Sequence, residues 1–166
     1  MFLKTNDRTV NLRNVSNINY IHDRNRIVFN MNYSITIEYN GTTKTISDYV
    51  YWDGINSEDL NTNIEYLENT DYFQDNFIDK LNNAGSININ EISSIKFSEK
   101  KNRVIFNLSH PVSYHTGNGI MRVTSEFVYV NCKDLNEFME YSTYVQETMD
   151  AVQTEYEGDY YGNSID

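Results

Sequence analysis

The feature that most limits how this chain folds is that it repeats itself. Residues 15–32 read VSNINYIHDRNRIVFNMN, and residues 92–109 read ISSIKFSEKKNRVIFNLS. At a constant offset of 77, Ser16/Ser93, Ile18/Ile95, Asn25/Asn102, Arg26/Arg103, Phe29/Phe106 and Asn30/Asn107 are identical. Val15/Ile92, Tyr20/Phe97, Ile27/Val104, Val28/Ile105 and Met31/Leu108 are conservative pairs. A second block, SDYVYWD from Ser47, is matched by SEFVYVN from Ser125 at an offset of 78. A third, DLN from Asp59 with EY from Glu65, returns from Asp134 and Glu140 at an offset of 75. Three blocks in one order, with a slightly drifting offset, read as a tandem duplication, and such a period governs the whole fold expectation.

Within one copy the residues alternate. Along 26–39, Ile27, Phe29, Met31, Tyr33, Ile35, Ile37 and Tyr39 share one face. Arg26, Val28, Asn30, Asn32, Ser34, Thr36 and Glu38 share the other. A period of two over this length predicts a long, half-buried antiparallel strand. Shorter strands are expected at 15–21 and 43–52, with one more inside 2–12 and turns at 22–25 and at Asn40-Gly41. Ser57-Glu58-Asp59 offers a helix cap. Leu60, Ile64, Leu67, Phe73, Phe77 and Leu81 then hold helical spacing, with a break near Asn69-Thr70.

The second copy predicts strands at 87–89, 92–97, 103–114 and 121–130, a turn at 116–119, and a helix from 135 to about 152. Pro111 marks an edge or a bulge. The fold expected is α+β: two tandem ββββα units, 1–83 and 84–152, whose antiparallel sheets pack around a helical core that they share. Residues 153–166 are acidic and rich in tyrosine and glycine, and are expected to form a frayed C-terminal tail.

The 166 residues suit one domain or two small halves. No run reaches the length of a membrane span. The opening MFLKTNDRTV lacks a secretory h-region, and the single cysteine, Cys132, forms no internal disulfide. The expected compartment is a reducing cytoplasm, that of the host if the chain is viral. One proline with abundant Asn, Ile and Tyr fits an AT-rich genome, such as those of many marine bacteria and phages.

The net charge of −11 argues against a nucleic-acid partner until it is mapped. Residues 1–52 carry six basic and four acidic side chains, and residues 83–133 six and three. Residues 53–82 carry eight acidic groups against one basic, and 134–166 carry only acids. The strand-rich segments are mildly positive, and the acid lies on the helical segments and the tail.

No catalytic motif assembles, so neither an enzyme nor a cofactor is expected. The stretch from Asn40 to Thr45 resembles a phosphate loop, but it lacks the glycine before Lys44 and sits in a hairpin. His110 and His115 flank a proline turn with no cysteine nearby, which is a poor metal set. Cys132 beside Lys133 is expected to have a slightly lowered pKa.

Two rounds of ββββα resemble the Whirly family of single-stranded DNA-binding proteins and, more distantly, PUR-repeat proteins and the kinetoplastid guide-RNA-binding proteins of that fold. The likeness is architectural and covers about residues 1–150; the Lys-Gly-Asn-Lys-Ala motif of plant Whirly proteins is absent. The resemblance implies a single strand running along strand edges, with basic and polar side chains on phosphates and aromatics stacked on bases. Candidates for that surface are the basic pairs Arg24/Lys101, Arg26/Arg103 and Lys44/Arg122, with Lys96. The aromatic candidates are Tyr51/Tyr129, adjoining Tyr49/Phe127 and beside Trp52, and Asn30/Asn107 offer amides to base edges. The plain reading of each is a solvated turn, core packing or a water-facing amide.

The partners expected are single-stranded DNA or RNA, a protein held by the acidic tail, and a homo-oligomeric copy, with no membrane. The competing expectation is an acidic protein-interaction or virion-associated module with no nucleic-acid role. A third is an acidic mimic of DNA.

Overall fold

The computed structural model of the protein describes residues 1–5, 9–39, 41–115 and 121–162. Among these residues it is an α+β fold of antiparallel sheets and three α-helices. Two short strands open it, β1 (Phe2–Lys4) and β2 (Thr9–Asn11), followed by β3 (Val15–Ile21), β4 (Arg26–Tyr39) and β5 (Thr42–Asp53). Helices α1 (Ser57–Glu68) and α2 (Asp71–Asn76) come next. The chain returns to strand at β6 (Phe77–Asp79) and β7 (Gly85–Asn88), then β8 (Ile92–Ser98), β9 (Arg103–His115) and β10 (Met121–Asn131). Helix α3 spans Leu135–Gly162.

Pairing gives one sheet of order β5-β4-β3-β7-β6, a second of order β10-β9-β8, and a separate pair β1-β2. Local details recur at matching positions. His22–Arg24 and Glu99–Lys101 each make one 3-10 turn, closed by Asn25 and Asn102 with φ of 48° and 44°. Asparagine tolerates this left-handed region because its short amide can bond locally. The Asn25 carbonyl accepts from Gly54 N at 2.7 Å, and the Asn102 carbonyl from Cys132 N at 2.9 Å. Each turn is thereby tied to the far end of its own hairpin.

The interior forms two apolar clusters. In the first, Leu60, Ile64 and Leu67 of α1 recur at i, i+4 and i+7 and face Ile27, Phe29 and Trp52. In the second, Phe138, Tyr141 and Val145 of α3 face Val104, Phe106 and Val130. Strand β6 lies between them, with Phe77 in the first cluster and Ile78 in the second. Successive strand side chains point to opposite faces, so two neighbouring residues serve both interiors.

Several expectations need correction. The interior resolves into two apolar clusters that meet at β6. The boundary at 83/84 cuts the β6–β7 hairpin, whose Ile78 and Ile87 both belong to the second cluster. Phe77 and Leu81 leave the helical stripe, since α2 stops at Asn76 and Asn82 and Asn83 take φ of 59° and 51°. The segment 2–12 holds two strands rather than one. The cap of α1 is Asn56, whose side chain accepts from Asp59 N at 2.9 Å.

The apolar stripe along β4 is interrupted by a register shift between Asn30 and Ser34, which leaves Tyr33 44% exposed. Pro111 pairs with Ser125 beside the register shift at Ser125/Phe127. Helix α3 runs past the expected end at Val152 to Gly162, because its one internal glycine, Gly158, costs only about 1 kcal/mol relative to alanine. The predicted turn at 116–119, together with Asn40 of the other turn, lies outside the described residues.

Candidate nucleic-acid interface

Alternation that buries one face of each long hairpin leaves the other face to solvent. On the first hairpin that face carries Arg26, Val28 and Asn30, opposite Asp53, Tyr51 and Tyr49. On the second it carries Arg103, Ile105 and Asn107, opposite Asn131, Tyr129 and Phe127. The Arg26 guanidinium lies 4.1 Å from the Tyr51 ring centroid, and that of Arg103 lies 4.4 Å from the Tyr129 centroid. Tyr51 adjoins Tyr49 with centroids 5.0 Å apart, and Tyr129 adjoins Phe127 at 4.9 Å. The four rings are 39–46% exposed. Each hairpin thus presents two adjoining rings with a cation seated on one of them.

The two arrays differ in charge. Arg26 donates through Nε to Asp53 Oδ1 at 2.5 Å and through Nη2 to Oδ2 at 3.0 Å. That bond raises the Arg26 pKa above its ordinary value. Arg103 instead donates through Nε to the neutral amide oxygen of Asn131 at 2.6 Å. Asp23 and Arg24 join Arg26, Asn30, Tyr49 and Tyr51 around a groove of about 470 Å³ on the first hairpin. On the second, Lys96 of β8 lies in one cross-strand row with Ile105 and Tyr129. Lys101 is exposed in the adjoining turn.

Not every expected residue belongs here. Trp52 is corrected: it alternates with Tyr51, is 6% exposed, and packs edge-on against Tyr66 at 6.4 Å. Its ring cannot stack on a base. Lys44 and Arg122 sit toward the opposite ends of their strands, seven residues before Tyr51 and Tyr129, or about 23 Å at strand rise. They do not converge with the arrays. The amide nitrogen of Asn30 donates to Asn17 Oδ1 at 3.2 Å and that of Asn107 to Ser94 Oγ at 2.9 Å, so both serve the neighbouring strand. Sequence reasoning missed Asp53 and Asn131 as partners of the arginines; the paired block SDYVYWD/SEFVYVN, which ends on these two residues, was the available signal.

The hairpins cross through a buried polar junction. Ser47 Oγ donates to Glu126 Oε2 at 3.0 Å and therefore accepts from His110 Nε2 at 2.7 Å. His110 Nδ1 is then a bare acceptor, buried with no hydrogen-bond partner among the described residues. Burial lowers the His110 pKa, against smaller opposing effects of Glu126 and Glu91. Thr45 N donates to Ser113 Oγ at 2.6 Å, and Ser34 Oγ donates to the Pro111 carbonyl. Tyr49 stands two residues from Ser47, and Phe127 directly follows Glu126, so the two ring pairs flank one crossing.

Other chemistry is thin. Among the described residues no cluster of three His, Cys, Asp or Glu side chains is placed to hold a metal. Cys132 is buried, and burial with Glu137 and Asp134 raises its pKa, while Lys133 pairs with Glu137 at 3.6 Å; the expected lowering is corrected. No helix among the described residues is long and apolar enough to cross a membrane. No family model, curated protein or solved structure matches the chain.

Proposed function

We propose that this protein binds single-stranded nucleic acid, without catalysis and with little sequence preference, on the exposed faces of its two long hairpins. We read the chain as a tandem duplication of Whirly-like kind. The observation that carries the functional reading is the constellation found twice: an arginine over a tyrosine, with a second exposed ring beside it. Every base has a π-face and every nucleotide a phosphate, so rings interleaved with cations suit a strand of any sequence. What supports the duplication is the recurrence of the turns, register shifts, arginine contacts and ring pairs at matching positions.

The charge difference ranks the two arrays. Asp53 already matches the charge of Arg26, and Asp23 stands in the same groove. Arg103 faces a neutral amide, with Lys96 and Lys101 nearby. The second hairpin is therefore the stronger phosphate site. The acidic helices repel a polyanion and confine it to the strand faces.

The experiment is fluorescence anisotropy of labelled oligo-dT with the full chain at low and moderate salt. Binding that weakens as salt rises is expected. Arg103→Ala is expected to reduce the salt slope by about one, and Arg26→Ala by less. Absence of binding at low salt, or binding indifferent to salt, overturns the proposal.

A further inference from the structure

One strand of the five-stranded sheet comes from a hairpin that belongs to the other cluster. β7 pairs with β3 through Asn17–Ile87, Ile18–Ser86 and Asn19–Gly85. Ile87 and its hairpin neighbour Ile78 sit in the second cluster. Asn88 Nδ2 donates to the Val15 carbonyl at 2.8 Å, and Lys80 Nζ to the Ile18 carbonyl at 2.7 Å. With this hairpin docked, Val15, Ile18 and Tyr20 are 0%, 0% and 5% exposed.

Strand β8 is the counterpart of β3, 77 residues on, but it is the edge of its sheet; no strand pairs with its outer side among the described residues. Ile92 and Ile95, in the places of Val15 and Ile18, are only half-buried, and Phe97, in the place of Tyr20, is 37% exposed. An edge with open backbone groups and uncovered apolar side chains is a template for another strand.

The piece built like β6–β7 but lacking a sheet is β1–β2. Phe2, Leu3 and Lys4 face Asn11, Val10 and Thr9, as Phe77, Ile78 and Asp79 face Asn88, Ile87 and Ser86. Asn11 caps the turn after β2 through Arg13 N at 3.2 Å, as Asn88 caps the turn after β7 through Asn90 N at 3.0 Å. Leu3 and Val10 are seated in the first cluster as Ile78 and Ile87 are in the second. Phe77 is 6% exposed, whereas Phe2 is 72% exposed.

We propose that β2 of one copy adds to the free edge of β8 of the next, in the register that β7 uses on β3. Val10 then lies opposite Ser94, and Thr9 opposite Ile95. The occupant of the open edge is a second copy of this chain. The contact is heterologous, so it propagates head to tail into a ring or a filament. It leaves the aromatic faces of the hairpins open and forms without nucleic acid.

The test mixes two full-length single variants, Thr9→Cys and Ile95→Cys, under mild oxidation. Residues directly opposite in an antiparallel pair lie within reach of a disulfide. The mixture is expected to give a covalent dimer, and each variant alone to remain single-chain. Equal cross-linking of either variant by itself, or none in the mixture, overturns the proposal. Sedimentation of the unmodified chain covers a failure of either variant to fold. Its mass is expected to rise at least twofold with concentration, and Phe97→Lys to abolish that rise; a single-chain mass at every concentration contradicts the contact.

Discussion

Lys80 ties the β6–β7 hairpin to strand β3, and its removal has a calculable signature. Its ammonium group donates to the Ile18 carbonyl at 2.7 Å, to Asn19 Oδ1 at 2.7 Å and to Asn17 Oδ1 at 3.4 Å. Burial pulls its pKa from 10.5 down to about 7. Between those values the unfolded chain binds more protons than the folded one, so stability rises with pH across that window. The limiting slope is about 1.4 kcal/mol per pH unit. From about pH 7, where the folded group is half protonated, to about pH 8.5, the gain is about 2 kcal/mol.

Lys80→Met keeps the stem and removes the titration. Urea unfolding of both proteins at the two pH values is the assay. The stability difference is expected to move by about 2 kcal/mol in favour of the unmodified chain as pH rises. Parallel behaviour of the two proteins would refute the reasoning and mean that the three acceptors hold the ammonium at its ordinary pKa.

Four other outcomes follow from single contacts. Gly85→Ala places a Cβ 2.1 Å from the Ile18 carbonyl oxygen at a φ of +114°, and is expected to cost more than about 1 kcal/mol in urea unfolding. His110 is stabilising when neutral, so its contribution is complete above the unfolded pKa and is lost as pH falls through the lower folded value. Thermal stability is expected to fall as pH drops below about 6.5, the ordinary histidine value, and His110→Gln to flatten that dependence. Tyr129→Ala is expected to weaken oligo-dT binding by about 1–3 kcal/mol at unchanged stability. Trp52→Ala is expected to cost about 3–5 kcal/mol of stability, read by urea unfolding.

The long strands were legible because fourteen alternating residues in β4 outvote any other period. The positions of the arginines and exposed rings followed, since pairing across a hairpin fixes which residues share a face. The face of Trp52 was legible too, opposite Ile27 of the apolar stripe. Its aromatic character and its place next to Tyr51 point to the exposed face, whereas its parity points to the interior. The β6–β7 hairpin was not legible. Three or four residues are too few to show a period, and Phe77 and Leu81 continue the helical spacing by coincidence. The helix ends where Phe77 turns to extended backbone, with φ of −126° and ψ of 140°, and Phe77 and Ile78 enter two different interiors. The Ser47–His110–Glu126 junction was equally hidden, because residues 63 and 79 apart carry no local signal of contact.

The most direct test of the central claim is photocrosslinking of the full chain to a bromodeoxyuridine-substituted oligonucleotide at low salt, with the adducts mapped by mass spectrometry. Adducts are expected at Phe127 and Tyr129 first, then at Tyr49 and Tyr51. Adducts confined to the acidic helices, or none at all, would contradict that claim.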